Sequence, residues 1–479
     1  MIHKMKHNSI KHLLLLSVIL LLLSKNSVLG QAQPEITFSN TTMAAWQEHL
    51  PFWFWANQNG LIAPGSKFLN LSVLGINSAK RNDPSLLNIN WGTTLAGGLA
   101  SANYFQFNQL YAGIEFKGWL LKAGRFHEET YYNGLSTTNG NLAHSQNALP
   151  YPKIRFSTNG FKTLPFWNQR LAFKAEYDEG ILNDDRFVER ARLHHKSLYL
   201  SYKPSEYWYF EAGAEHYVMW GGNSPDARYG QLPEDFKSYL RYITGSMGGE
   251  KFPQTDQLNV AGNQLGTYQL KVIRSFEKAD VTFYASHPFE DFSGVNLRNL
   301  PDNLLGLSLE IKDKTGFITQ ILYEYTNTRQ QSIRDSLYEW NEEKEIWERM
   351  EFDNYYNHGY YRSGFTYHGK MMASPLFGPL KESDGIITGI RSNRFYAHHI
   401  GILGNLTEFV RWKGLFTLSH HLGTYTQPYE DPRNQFSVLL QLMINHPRLP
   451  FTMKLSGAAD AGNQTGENSG FKLQVSKSF

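Results

Sequence analysis

Residues 470–479 read GFKLQVSKSF, and this closing stretch decides the fold. Phe471, Leu473, Val475, Lys477 and Phe479 fall on one face of an extended chain. Lys472, Gln474, Ser476 and Ser478 fall on the other, because side chains alternate across a strand. Lys477 breaks the apolar face near its end, where a long stem can snorkel to a headgroup layer. The opposite end is a removable leader. Lys4, Lys6 and Lys11 precede an apolar run from Leu13 to Leu23, interrupted by Ser17, and Val28-Leu29-Gly30 places cleavage before Gln31. A secreted chain that closes on an amphipathic strand with a terminal aromatic has the ends of a Gram-negative outer-membrane β-barrel.

Composition narrows the alternatives. The chain has 46 Lys+Arg against 43 Asp+Glu; without Lys4, Lys6, Lys11 and Lys25 of the leader the balance is 42 against 43. The basic character belongs to the leader, so it gives no reason to expect nucleic acid. With no cysteine, the sequence implies neither disulfides nor a Cys-ligated metal, and it implies no cofactor. After the leader no stretch approaches the ~18 apolar residues of a transmembrane helix. A membrane-embedded mature chain must therefore be a closed barrel, since only helices and barrels satisfy every backbone group in lipid.

Working back from the C-terminus, the dominant period is two. Leu305, Leu307, Leu309 and Ile311 alternate with Gly306, Ser308, Glu310 and Lys312. Tyr268, Leu270 and Val272 alternate with Thr267, Gln269 and Lys271; Leu171, Phe173, Ala175 and Tyr177 alternate with Ala172, Lys174, Glu176 and Asp178; Leu110, Ala112, Ile114 and Phe116 alternate with Gln109, Tyr111, Glu115 and Lys117. Apolar outward and charged inward faces on many strands suit a lipid-facing wall around a polar lumen. The expected fold is all-β, a transmembrane antiparallel barrel of about 18 strands (16–20). Its expected divisions are a signal peptide at 1–30, a short N-terminal periplasmic segment at 31–50 with Asn40 capping a helix over Thr41 to His49, and the barrel at 51–479. Residues 470–479 should close the cylinder against a first strand near 52–62, with Phe471, Leu473, Val475 and Phe479 toward lipid. Residues 128–168, 221–264 and 327–358 read as long external loops, 445–450 as a periplasmic turn, and 233–242 as a short helix folded over or into the lumen. Strand parity is inconsistent around 327–392.

Three His-His pairs, at 194–195, 398–399 and 420–421, raise metal binding, but neighbours on a strand point to opposite faces and do not chelate one ion. Serines, histidines and acids are plentiful without a Gly-x-Ser-x-Gly setting. Asp226, Asp235 and Asp291 are candidates for a glycosidase carboxylate pair. The denser signal is aromatic plus polar. A sugar needs a flat apolar surface under its C–H face and amide, carboxylate or guanidinium groups for its hydroxyls. The stretches 215–221 and 352–365, with the polar segments between them, supply Glu215, His216, Trp220, Asp226, Arg228, Tyr229, Asp291, Asn354, Tyr355, Tyr361 and Arg362. Gly221-Gly222 after Trp220 should leave its indole accessible.

At these residues the chain resembles the capsule assembly Wzi family. The stretches that carry the resemblance are HKSLYLSYKPSEYWYFEAGAEHYVMWGG (195–222), YGQLPEDFKSYLRYITG (229–245), HPFEDFSG (287–294), YEYTNTRQQS (323–332), DNYYNHGYYRSGFTYHG (353–369) and NRFYAHHIGILG (393–404). The resemblance implies an outer-membrane barrel of about eighteen strands that binds surface polysaccharide and helps hold capsule on the cell, without a catalytic motif. It implies capsular or exopolysaccharide, outer-membrane lipid and the barrel assembly machinery as partners. Residues 31–50 are short for the N-terminal helical segment of better-known members. A general porin and a barrel hydrolase of lipid or glycan are the competing readings.

Overall fold

The computed structural model describes residues 34–63, 65–78, 87–100, 103–333, 338–341, 346–349 and 352–479. The leader and its cleavage position lie outside these residues. The chain forms a barrel of antiparallel strands: β1 (Glu35–Ala45), β2 (Phe68–Asn77), β3 (Asn88–Leu99), β4 (Tyr104–Phe116), β5 (Trp119–Arg125), β6 (Lys153–Thr158, resumed at Lys162–Thr163), β7 (Leu171–Ile181), β8 (Arg192–Ser205) and β9 (Trp208–Trp220). It continues through β10 (Asn263–Ser275), β11 (Ala279–Phe289), β12 (Asn303–Ile311), β13 (Gln320–Asn327), β14 (Phe395–Thr407), β15 (Val410–Gly423), β16 (Pro428–Ile444), β17 (Thr452–Gly462) and β18 (Asn468–Ser478). The two pieces of β6 both pair with β7, so they count as one strand and the barrel has 18.

Closure uses a strand that the sequence reading misplaces. β1 pairs with β2 and also with β18, from Thr37 opposite Ser478 to Ala45 opposite Gly470. Residues 35–45 are thus the first wall strand rather than a periplasmic segment, and no helix runs over Thr41 to His49. The barrel begins at Glu35, and β18 closes on 35–45, not on 52–62. The reason is visible on the outward face. Met43, Leu69 and Leu71 are buried inward, so Asn40, Thr42, Asn70 and Ser72 point outward by alternation. These four satisfy one another: Asn40 Nδ2 donates to Asn70 Oδ1 at 3.1 Å and to Ser72 Oγ at 2.9 Å, and Asn70 Nδ2 donates to Thr42 Oγ1 at 2.7 Å. A polar outward face hides the apolar alternation by which the other strands are read.

The ends are unequal. The termini share one end with short turns such as Lys117-Gly118, where both residues adopt positive φ and make a two-residue hairpin, and 445–451. The long connections, 46–67, 126–152, 221–262, 290–302 and 328–394, lie at the other. Short turns face the periplasm and long loops the outside in such barrels. Of the expected loops, 221–264 fits closely. The first is shortened, because 153–158 and 162–163 belong to the wall. The third is lengthened to 328–394, whose small hairpins stay off the wall; they explain the parity failure. Large apolar side chains stand outward on the wall, and aromatic pairs such as Trp119–Phe156 and Phe317–Trp412 sit near the short-turn end, as an interface girdle requires.

Loops fill the lumen. The helix α1 (Phe52–Trp55) turns inward after Pro51, and its Phe52 N–H donates to Asp460 Oδ2 at 2.8 Å. Tyr355, Tyr356, Tyr360, Tyr361, Phe365 and Phe377 form one buried core with α1 and the inward residues of the wall. The loop 126–152 docks on a wall carboxylate: Glu324 accepts from Ser136 Oγ (2.5 Å), Thr137 N and Oγ1 (both 2.8 Å) and Tyr284 Oη (2.6 Å). Tyr356 Oη then donates to Leu142 O at 2.7 Å, tying the two plug loops together.

Closure at this seam gives a direct prediction. Removing residues 470–479 or residues 35–45 leaves two strand edges whose polar groups face hydrocarbon, at several kcal/mol per group. Both deletions should abolish the folded band that shifts on boiling in an SDS gel. A normal heat-modifiable band after deleting 35–45 would mean that the cylinder closes elsewhere.

Candidate functional site

The His-His pairs divide across the wall. His194 meets Tyr177 and Glu179 outside, while His195 stacks on Tyr217 inside at 4.1 Å. His398 bonds Tyr323, while His399 Nε2 donates to Leu135 O at 2.6 Å and its Nδ1 bonds the Thr417 hydroxyl at 2.8 Å. His421 lies between Ser392 and Ser419 Oγ, at 3.3 and 3.0 Å. Among the described residues, Glu176, Asp178 and His195 come closest to a metal-ligand set. A guanidinium takes that place: Arg155 Nε and Nη2 donate to the two Asp178 oxygens at 2.7 and 2.6 Å, and Glu176 lies 3.4 Å from Arg155 and 3.2 Å from Lys174.

The expected sugar residues fall into separate places. Asp226, Arg228, Tyr229 and Arg362 come together on the outer surface. Arg228 Nε and Nη2 donate to Asp226 at 3.0 and 2.6 Å, Arg362 Nη2 lies 3.5 Å from the same carboxylate, and Arg362 covers the Phe187 ring at 4.4 Å. Tyr229 packs on Tyr360 at 5.2 Å. The bonds from Arg228 push the Asp226 carboxyl down to about 2, so it stays charged. Fixed carboxylate and guanidinium beside half-buried rings can engage sugar hydroxyls and acid groups.

The other expected residues do not join them. Tyr355 and Tyr361 are buried, their hydroxyls donating to Asp302 Oδ2 (3.1 Å) and Gly221 O (2.9 Å). Asn354 accepts from Asn357 and Asn393 within the plug. Asp235 caps α2 (Phe236–Thr244) by accepting from Ser238 N, and Asp291 caps α3 (Phe292–Val295) by accepting from Ser293 N. With Asp226 held by Arg228, the three acids have separate partners and form no pair. His216 and Trp220 lie on the outward face of β9. Trp220 is 5% exposed beneath α2, so its indole is not open to solvent as the following glycines suggest.

Glu215 faces the lumen. It accepts from Asn141 Nδ2 at 2.8 Å and from the Tyr199 hydroxyl, and it lines a cavity of about 600 Å³ under loop 126–152 with Lys174, His195, Glu211, Tyr217 and Lys271.

A second cleft, of about 400 Å³, opens at the outer mouth between α1, the 369–387 segment and β15–β18. Phe52, Trp55 and Phe377 give it flat apolar surface. His49, Lys370, Gln435, Asp460, Gln464 and Thr465 give it donors and acceptors. Gln435 Oε1 accepts from the Gln464 and Thr465 amides at 3.2 and 3.0 Å, and Gln464 Nε2 donates to Gly378 O at 2.6 Å. Burial pushes the Lys370 amine down to about 7, and the amine donates to Ile62 O. Sequence reasoning missed this cleft. The signal was Phe-Trp-Phe-Trp at 52–55: four consecutive aromatics do not alternate, so they do not belong to a wall strand.

Buried carboxyls hold the plug through hydrogen bonds. Tyr356 N donates to Glu290 Oε1 at 2.6 Å, Ser332 Oγ donates to Asp353 Oδ2 at 2.5 Å, and the Gln330 and Gln331 amides donate to Asp302 at 2.9 and 2.7 Å. Burial, reinforced by the Asp291 charge, pushes Asp353 up to about 7, and burial pushes Asp302 up to about 6. A carboxyl raised in the folded state binds more protons folded than unfolded, so its contribution is full at acid pH and is lost as pH rises through those values. Amide-exchange protection of residues 352–357, corrected for intrinsic exchange, should fall between about pH 5 and about pH 8, and Asp353→Asn should flatten the change. Equal protection at both values would mean that these carboxyls do not titrate.

The sequence profile of the capsule assembly protein Wzi matches residues 26–384. No curated protein matches the chain. Among solved structures the chain is similar to Wzi of Escherichia coli, an outer membrane protein involved in group 1 capsule assembly and a carbohydrate-binding β-barrel, at 15% identity and a TM-score of 0.58, covering 93% of this chain and 84% of that one. OccK5 of Pseudomonas aeruginosa (9% identity, 93% and 97% covered) and OprD of the same organism (8%, 93% and 94%) reach TM-scores of 0.47. At these identities the likeness concerns the fold.

Proposed function

The chain belongs to the Wzi family of capsule assembly proteins and is an outer-membrane β-barrel; from that premise we propose that it binds surface polysaccharide at its outer face, without catalysis, and so supports assembly or attachment of capsule or exopolysaccharide. The observation that carries this reading is the pairing of a loop-filled lumen with an aromatic and amide-lined cleft at the outer mouth. A general porin needs an open lumen, and here the aromatic core of loop 328–394 occupies it. The cleft supplies what a sugar face needs: Trp55 and Phe52 for C–H stacking, and glutamine, threonine and histidine groups for hydroxyls. The Asp226–Arg228–Arg362 cluster adds charged contacts elsewhere on the outer surface. A hydrolase would need an aligned nucleophile, base and acid; the hydrogen bonds of His421 go to two serines. In the same reading Phe479 is the terminal aromatic that barrel assembly machinery engages, and the partner in solution is the cell's own polysaccharide.

Calorimetric titration of the purified barrel with the capsular or exopolysaccharide of the producing cell tests the reading. Binding should be measurable with native protein, and Trp55→Ala should weaken it by roughly tenfold, the equivalent of about 1.4 kcal/mol for one truncated anchor. Arg362→Ala should weaken acidic polysaccharides more than neutral ones. If folded, heat-modifiable Trp55→Ala binds as tightly as native protein, the cleft is not the site.

A further inference from the structure

The helix α2 lies outside the barrel, where neither a plug nor a sugar site needs it. Tyr217 and Met219 point into the lumenal core, so Val218 and Trp220 point outward, and these two pack with Tyr242, Phe252 and Ala261 in a cluster separate from that core. The helix is fastened to the wall. The Tyr239 hydroxyl bonds Tyr177 and Glu179, the Lys196 ammonium donates to Ile243 O, and Gln264 Nε2 donates to Tyr242 O at 3.0 Å. At 100° per residue, Tyr242, Tyr239, Ile243, Phe236 and Leu240 form one continuous apolar arc, and Lys237, Arg241 and Thr244 occupy the opposite side. The near end of the arc is buried against the wall. The far end is not: Phe236 is 74% exposed and Leu240 42%.

A groove of about 820 Å³ separates this far end from the wall; Ile154, Ile181, Trp220, Phe236 and Tyr239 give it apolar surface, and Lys153, Glu179, Arg192 and Glu234 also border it. Ile154 and Ile181 belong to the outward apolar side of β6 and β7, so the groove is a continuation of the lipid-facing belt. At its rim Arg192 lies over the Trp220 ring at 4.7 Å and pairs with Glu234 at 3.0 Å. The same kind of surface continues over the next strands, where Phe292 is strongly exposed on α3 and the outward Tyr268 hydroxyl donates to Val295 O at 3.4 Å.

We propose that α2 lies in the interface of the outer leaflet and that the groove between it and the wall holds an acyl chain of an outer-leaflet lipid. Continuity with the belt identifies the occupant: a chain entering the groove does not leave hydrocarbon, and the basic side of α2 faces the headgroups as in surface-lying amphipathic helices. The bound lipid fixes α2 over Trp220 and thereby steadies the base of loop 221–262, which carries Asp226, Arg228 and Tyr229.

The chain has no cysteine, so single labels report single positions. Nitroxides at Leu240→Cys, Lys237→Cys and Ile154→Cys, in full-length mature barrel reconstituted into phosphatidylethanolamine–lipopolysaccharide vesicles, are compared for collision with oxygen and with an aqueous nickel chelate. The proposal expects oxygen to dominate at Leu240 as at the belt position Ile154, and the chelate to dominate at Lys237. A Leu240 label that behaves like Lys237, or is shielded from both reagents by a protein partner, overturns it. Independently of any change in α2, lipids brominated on the acyl chain should quench the part of the fluorescence lost in Trp220→Phe; no quenching of that component removes the occupant from the groove.

Discussion

In hydrocarbon an unpaired backbone N–H or C=O has no partner, and the only β-structure that tolerates this is one without edges. Every other feature of this chain depends on the seam where β1 meets β18. Eighteen strands with both termini at one end require an even wall, nine outward-going and nine returning, and place every long connection at the opposite end. Once the cylinder is closed, each strand must offer one side to lipid and the other to a lumen. The apolar outward and polar inward alternation follows from that geometry.

The lumen then poses its own problem. Inward carboxylates, amides and hydroxyls are costly to bury unless paired, and the loops supply the partners. Glu324 takes four donors from loop 126–152 and Tyr284. Asp460 takes the first amide of α1, whereas Asp178 is paired within the wall by a bidentate guanidinium from the neighbouring strand. The polar inner wall is in this way the docking surface for a plug with an aromatic core. The plug in turn builds the outer mouth, because the cleft exists only where α1 and the 369–387 segment lean on β15–β18. Wall, plug and outer-mouth cleft are successive consequences of one closure.

Much of this was legible in the sequence. Strand β12 shows its inside and outside without ambiguity, since Leu305, Leu307 and Leu309 face lipid while Gly306 and Ser308 are inward. The split of each His-His pair follows from period two alone. The helix in loop 221–262 was legible from Asp235 and the spacing of Phe236, Tyr239 and Leu240, but not its side of the wall. That is set by the outward register of Val218 and Trp220, a matter of pairing rather than local pattern. β1 was hidden because Asn40, Thr42, Asn70 and Ser72 satisfy one another on a face where apolar residues are the rule. At the outer face, Asp226, Arg228, Tyr229 and Arg362, chosen by residue type, lie together in space, whereas the cleft brings together residues from 49 to 468 and has no linear signature.

Inward loops occupy the lumen where a channel would need open space. Single-channel recording of the purified native barrel in planar bilayers tests this occupancy most directly. Native protein should give low or unsteady conductance, and removal of the plug core at 352–377 should give stable, larger steps. Large, stable channels from the native protein would contradict it.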